Sequence, residues 1–114
     1  MKKYLLFVAI LFANGKLFAQ QFNVEEFNKN LGKKGTLCDV VKSLRIVNDT
    51  LTLLNMGDVY PRQHYTIVIR GNKINLDWTK ITGKTVCATG VFEIYKNQPQ
   101  IAVADPLLIN VNER

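Results

Sequence analysis

The sequence predicts an all-β fold: a small five-stranded Greek-key barrel with one short helix in front of it. Three observations lead there. Apolar and β-branched runs of strand length recur along the chain, with turn signals between them. Gly83 to Val103 reads as two strands joined by a short polar turn, Asn97-Gln98, and the remaining strands are arranged around that hairpin. The part expected to fold is short, so it can bury one small core only, and a partly open barrel is the economical closure for five strands.

That folded part is not the whole chain of 114 residues. Met1-Lys2-Lys3 is a short basic start, and Tyr4 to Ala13 is an almost purely apolar run. Asn14-Gly15-Lys16 breaks the run, and Leu17-Phe18-Ala19 ends on a small residue before Gln20. This is the layout of a secretory signal peptide, residues 1–19. The competing readings are an N-terminal membrane anchor or a buried helix, but for an anchor the apolar core falls short of the about 20 residues a spanning helix needs. Export to the periplasm or beyond the cell is therefore expected, with no membrane span after cleavage.

Cleavage changes the charge argument. Lys2, Lys3 and Lys16 leave and no acid does, so fifteen basic residues become twelve against nine acids and net charge falls from +6 to +3. Residues 20–114, 95 in number, form the single expected domain. A charge of +3 is compatible with a polyanion partner without demanding one.

In chain order, Asn23 is a helix cap with Glu26 in the capping-box position. Val24, Phe27 and Leu31 recur at helical spacing, and Gly32 supplies a stop, so a helix is expected over Val24 to Leu31. Thr36 to Val47 is a long first strand, wet on one face or bent, since Asp39 and Lys42 interrupt it. Asn48-Asp49 is a turn. Thr50 to Met56 is the second strand, alternating at first. Val59 to His64 is a connector, because Pro61 does not fit a central strand. Tyr65 to Arg70 is the clearest strand. Lys73 to Thr82 fits neither period and reads as a loop with one turn near Asp77, Trp78 plugging an end of the core. Then comes the closing hairpin, with Pro99 starting its second strand, and Asp105-Pro106 ends it. Leu107 to Val111 adds a last short extended piece.

Two cysteines remain, Cys38 and Cys87. An even count in an exported chain points to a disulfide. Two buried free thiols are the alternative, since free cysteine packs as a small hydrophobe.

Gly83-Lys84-Thr85-Val86-Cys87-Ala88-Thr89-Gly90, then Tyr95-Lys96, Pro99-Gln100-Ile101 and Asp105-Pro106, resemble the last two strands of OB-fold domains, the oligonucleotide/oligosaccharide-binding class. The likeness is to small exported bacterial members of the nucleic-acid-binding-like type. Leu53 to Gly57, Tyr60-Pro61 and Tyr65 to Ile69 resemble their second and third strands, and Gly35-Thr36-Leu37-Cys38 the first. The match runs from about Leu31 to Ile109. Asn97 stands where the last turn usually has Gly, and Asp39 where many relatives have Gly.

The resemblance implies a ligand face on the second and third strands, flanked by loops. On this chain it implies Thr50, Thr52, Tyr65 and Arg70 on that face with the loops Asn48-Asp49 and Lys96-Asn97-Gln98, bordered by Arg62, His64 and Lys73. Tyr60, Tyr65 and Tyr95 would stack on bases, while Arg62, Arg70, Lys73 and Lys96 would meet phosphates. The implied partner is single-stranded nucleic acid or another anionic polymer. The alternative is an envelope-stress module that takes a protein or a small molecule, and tyrosines and basic residues that merely pack or solvate would fit it.

No catalytic set is visible. His64 is the only histidine, and no spacing marks a partner for it. The acids are scattered singly, no metal-ligand cluster appears, and Gly83-Lys84-Thr85 lacks the earlier glycines of a phosphate loop. The reading is a non-enzymatic binding module without a cofactor.

Overall fold

The computed structural model describes residues 22–112, so the expected signal peptide lies outside the described residues. Helix α1 (Val24–Lys29) precedes strands β1 (Lys34–Asn48), β2 (Leu51–Met56), β3 (Tyr65–Arg70), β4 (Thr85–Tyr95), β5 (Gln98–Val103) and β6 (Ile109–Asn112). Among the described residues the fold is all-β apart from α1 and a 3-10 turn at Pro106–Leu108.

The strands pair in the order β1-β2-β3-β5-β4-β6, and β4 also pairs with β1, so the strands ring round. All pairings are antiparallel except β3 with β5. The ring is not an even barrel, because its two long strands change partners midway. β1 pairs with β4 from Lys34 to Val40, then with β2 from Val41 onward. β4 gives Thr85 to Val91 to β1 and Phe92 to Tyr95 to β5. A register shift between Val41 and Ser43 marks the first change, as expected where a strand bends.

Five strands were expected and six are present among the described residues. Ile109 and Val111 half-bury against the core, and β6 pairs with Thr85 to Ala88. Asp105 caps the turn before it by accepting a hydrogen bond from the Leu107 N–H at 2.9 Å. Four residues carry too little local signal to declare a strand; the open edge of β4 supplies the template.

The helix is shorter than Val24 to Leu31. Asn23 Oδ1 accepts from the Glu26 N–H at 3.0 Å, as the capping box requires. At the other end the Asn30 side chain donates to the Glu26 carbonyl at 2.7 Å, taking the acceptor that a continuing helix would need. Only Phe27 of the expected stripe is buried; Val24 and Leu31 are exposed. The last turn also shifts by one residue. Lys96 and Asn97 both have positive φ, 52° and 68°, the pattern of a two-residue hairpin turn whose twist matches the strands. Pro99 then pairs with Ile94, one position before the parallel pairing to β3 begins at Gln100, where its missing N–H costs no ladder bond.

Cys38 and Cys87 face each other across β1 and β4 and form a disulfide. The core is built from the inward rows of all five ring strands: Leu37, Val41, Leu54, Ile67, Val86 and Ile101 are among its buried members. Phe27 brings α1 into it, and Trp78 packs half-buried against it from the loop after β3. No helix among the described residues is long and apolar enough to cross a membrane.

Candidate functional site

Strand parity builds the site. Thr52, Leu54 and Met56 of β2 are buried on the inner side, as are Tyr65, Ile67 and Ile69 of β3. The pairings Thr52↔Ile69, Leu54↔Ile67 and Met56↔Tyr65 keep those rows together. The outer side therefore carries Leu51, Leu53 and Asn55 on β2, and Thr66, Val68 and Arg70 on β3. All six line one groove of about 760 Å³.

The register orders the groove from end to end. Asn55 lies opposite Thr66, and Thr66 opposite Gln100 of β5. Leu53 lies opposite Val68, and Leu51 opposite Arg70. Val68 is only 4% exposed yet belongs to the groove floor rather than to the core. Arg45 of β1 is paired with Leu53, which puts it near the Arg70 end. Two residues beyond Gln100 in the other direction is Gln98, paired with Tyr95 beside Lys96. Tyr60, Pro61 and Gln63, from the β2–β3 connector, also line the groove. From Gln98 to the level of Arg70 is six residues of strand, roughly 20 Å at about 3.3 Å each.

Three cations, Arg45, Arg70 and Lys96, line this groove, and no acidic side chain does. Tyr60 and Tyr95 are 69% and 57% exposed, so their ring faces are available. The Lys96 ammonium lies 5.4 Å from the Tyr95 ring centroid, a range in which the ring's negative face attracts it. The floor is aliphatic.

Of the residues expected at the site, the groove brings together Tyr60, Arg70, Tyr95 and Lys96. The others stand elsewhere. Tyr65 is fully buried, with its ring 5.4 Å from that of Phe22, so it cannot reach a ligand on the outer face. Thr52 is buried on the same inner side. Thr50 is exposed in the β1–β2 turn, where its N–H and hydroxyl both donate to Asn48 Oδ1. Arg62 reaches Asp58 at 3.9 Å on the surface, and Lys73 is exposed on the loop after β3; neither lines the groove.

His64 lies outside the groove lining as well. Its Nδ1 is 3.4 Å from Asp39 Oδ2, and its ring stacks on Phe22 at 6.1 Å. The ring also lies flat on Gly57. That residue has φ +84°, and a Cβ there would come within 2.2 Å of Nδ1. No group of three or more metal-ligating side chains occurs among the described residues.

Tyr65 carries a prediction of its own. Its hydroxyl is buried without a hydrogen-bond partner, and burial, with Asp39's negative charge adding, pushes its ionisation well above the ordinary tyrosine range. The neutral phenol is thus favoured by folding. That contribution is complete below about pH 10 and is lost as pH rises further, at roughly 1.4 kcal/mol per pH unit. Tyr65→Phe should remove this alkaline slope and raise stability at neutral pH by about 1 kcal/mol, because an unpaired buried hydroxyl disappears. Urea melts of both proteins at pH 7 and pH 11 check it; a Tyr65→Phe protein as alkali-sensitive as its parent would refute it.

No family model matches the chain, and no curated protein matches it either. Solved structures do resemble it. An OBody bound to hen egg-white lysozyme aligns with a TM-score of 0.56 at 14% identity, over 88% of this chain and 99% of that one. An aspartyl tRNA synthetase from Entamoeba histolytica aligns with a TM-score of 0.54 at 16% identity, over 84% of this chain. The aligned part is 22% of the synthetase. At such identities the likeness concerns the fold, and together with the pairing order it makes this an OB-like fold.

Proposed function

We propose that the chain is an exported binding module of bacterial OB type, a Greek-key barrel of β1 to β5 with β6 appended, whose outer groove holds an extended anion. Single-stranded nucleic acid is the first candidate. The observation that carries this reading is the lining: three cations, no acid and two exposed tyrosines along one groove. Lysine and arginine neutralise phosphates, tyrosine faces stack on bases, and both act with little sequence preference. The synthetase neighbour is a protein named for tRNA, which is in keeping with the reading. The disulfide supports export, since such bonds persist outside the reducing cytosol. Residues 1–19 would be the signal and 20–114 the module, in the periplasm or secreted. It binds and does not catalyse: the one imidazole is engaged with Asp39 away from the groove.

The test is salt dependence. Three phosphate contacts on a single strand give a slope of log affinity against log salt of about −2. Arg70→Gln should weaken binding of a labelled oligonucleotide and make that slope shallower by about 0.7. Fluorescence anisotropy across a salt series measures both, and affinity indifferent to salt would reject the reading. The second reading, a protein or small-molecule interaction module, is favoured by the aliphatic floor of Leu51, Leu53 and Val68. The OBody neighbour, bound to a protein, fits it. That reading expects the salt-indifferent result.

A further inference from the structure

The β2–β3 connector, Gly57 to His64, leaves the sheet and re-enters it at one place. Met56 and Tyr65, the residues on either side of it, are paired with each other. A segment whose ends meet in this way is a compact surface loop, a kind that frequently carries function. Its outer part is folded on itself. The Arg62 N–H donates to the Val59 carbonyl at 2.7 Å, with Tyr60 and Pro61 at the bend, and Asp58 Oδ1 accepts from the Val59 N–H at 2.7 Å. Tyr60 and Pro61 line the groove, and Tyr60 is the more exposed of the two groove tyrosines.

An arm folded on itself turns as a unit, so the contacts at its base decide where Tyr60 stands. The His64 N–H donates to the Met56 carbonyl at 2.8 Å, and the Gly57 N–H to the Val40 carbonyl of β1 at 2.9 Å. Two neighbouring side chains add to this. Gln63 is buried in the groove lining, where its Nε2 reaches Thr66 Oγ1 at 3.4 Å. His64 does not line the groove; its Nδ1 stands 3.4 Å from Asp39 Oδ2 of β1. A carboxylate only accepts, so it is an Nδ1–H that faces it. The imidazole also stacks on Phe22, which packs in turn on Phe27 and Tyr65. On its other flank it rests on Gly57, where a Cβ would collide with it. An aromatic seat, a glycine and a carboxylate thus orient one half-exposed side chain at the root of the arm.

Resting on the anion-binding reading above, we infer that His64 is a positioning residue for the groove: clamped between Asp39 and Phe22, it holds the Gly57–His64 arm so that Tyr60 stands over the ligand. His64 touches no part of the ligand, and its effect on binding runs through the Tyr60 ring. The effect has a ceiling. A partly exposed ion pair or hydrogen bond biases an equilibrium only slightly, and affinity falls by no more than the fraction of arms that leave the competent position.

The experiment uses the full chain and a labelled oligo-dT about eight nucleotides long, within the usual range for one such fold. Anisotropy across a salt series gives the affinity and its salt slope. Tyr60→Ala should weaken binding about fivefold or more, the lower end of what one stacked base contributes. His64→Ala should weaken it about two- to fivefold. The salt slope of His64→Ala should stay that of the parent, because Arg45, Arg70 and Lys96 keep their phosphates. The double variant should bind as Tyr60→Ala does, since no ring is left to place. Should His64→Ala not fold, Asp39→Ala is read in its place for the same loss. Removing a negative charge by itself favours an anion, so a loss there is the more telling. Losses that add fully in the double variant overturn the inference, because His64 then acts without Tyr60. Parental affinity in His64→Ala overturns it too and leaves the anion groove standing. So does a shallower salt slope in that variant, which would mean that the imidazole meets a phosphate itself. A parent protein that binds no strand overturns both this inference and the reading it rests on.

Discussion

Replacing Cys38 and Cys87 together by alanine is expected to lower the free energy of unfolding by about 4 kcal/mol. The two residues are 49 apart in sequence, and closing a loop of that length removes much of the unfolded chain's freedom. In the chain-entropy account the gain grows with the logarithm of loop length. The native side of the balance changes little. The bridged residues are already opposite each other in the β1–β4 ladder, flanked by Leu37↔Ala88 and Asp39↔Val86, so the bond holds a pairing that backbone hydrogen bonds and core burial already make. A domain this small has a total stability of only about 5–15 kcal/mol, and the loss is a large part of it. Urea midpoints of the parent, the parent under reductant and the double alanine variant should show the last two falling together, well below the first. A variant that melts with the oxidised parent would mean that the unfolded state was already compact and that the bridge constrains nothing.

The same pair shows how much of the molecule was legible in its sequence. Two strand-like runs with one cysteine each and an even count were enough to suggest the bridge. The core strands, the capped helix start and the breaks at Gly57-Asp58 and Gly71-Asn72 follow from local chemistry in the same way. The site was less legible, and the reason is parity. The resemblance puts Thr50 and Thr52 of the second strand on the ligand face. The fold does the opposite: Thr52 is buried, and Leu51 and Leu53 floor the groove. A shift of one residue turns a whole strand over, and Thr52 and Tyr65 both lie on the inner side, outside the groove lining. Arg70 held the clue. An arginine ending an otherwise apolar strand belongs outside, and counting back by twos from it gives Val68 and Thr66, the residues that do line the groove. Asn55, Gln63 and Gln100 gave no signal of their own, because a buried amide is visible only once its partners are known. β6 was faint for a related reason, since its strand character comes from the edge it joins.

Phe92→Ala is the other substitution with a large expected effect, about 3–5 kcal/mol. Phe92 marks the place where β4 passes from one partner to the next. Its N–H donates to the Lys33 carbonyl, and its carbonyl accepts from the Gly32 N–H, which ties it to the approach of β1. The same residue is paired with Ile101 of β5. The ring points inward, is almost fully buried, and stacks on Phe27 with centroids 4.6 Å apart and planes 11° from parallel. Its far edge rests on Gly35, where a Cβ would come within 2.6 Å of the ring. One side chain thus holds α1, β1 and β4 together. Removing it leaves a void between a helix of one buried residue and two strands, and α1 loses the partner of its only anchor. A double-mutant cycle separates the parts. Phe27→Ala alone should cost about as much, and the two together should cost less than their sum by about 0.5–1.5 kcal/mol, the worth of an aromatic pair beyond its area. Fully additive losses would show that the stacked rings are independent, and that α1 is held to the barrel by something other than Phe92.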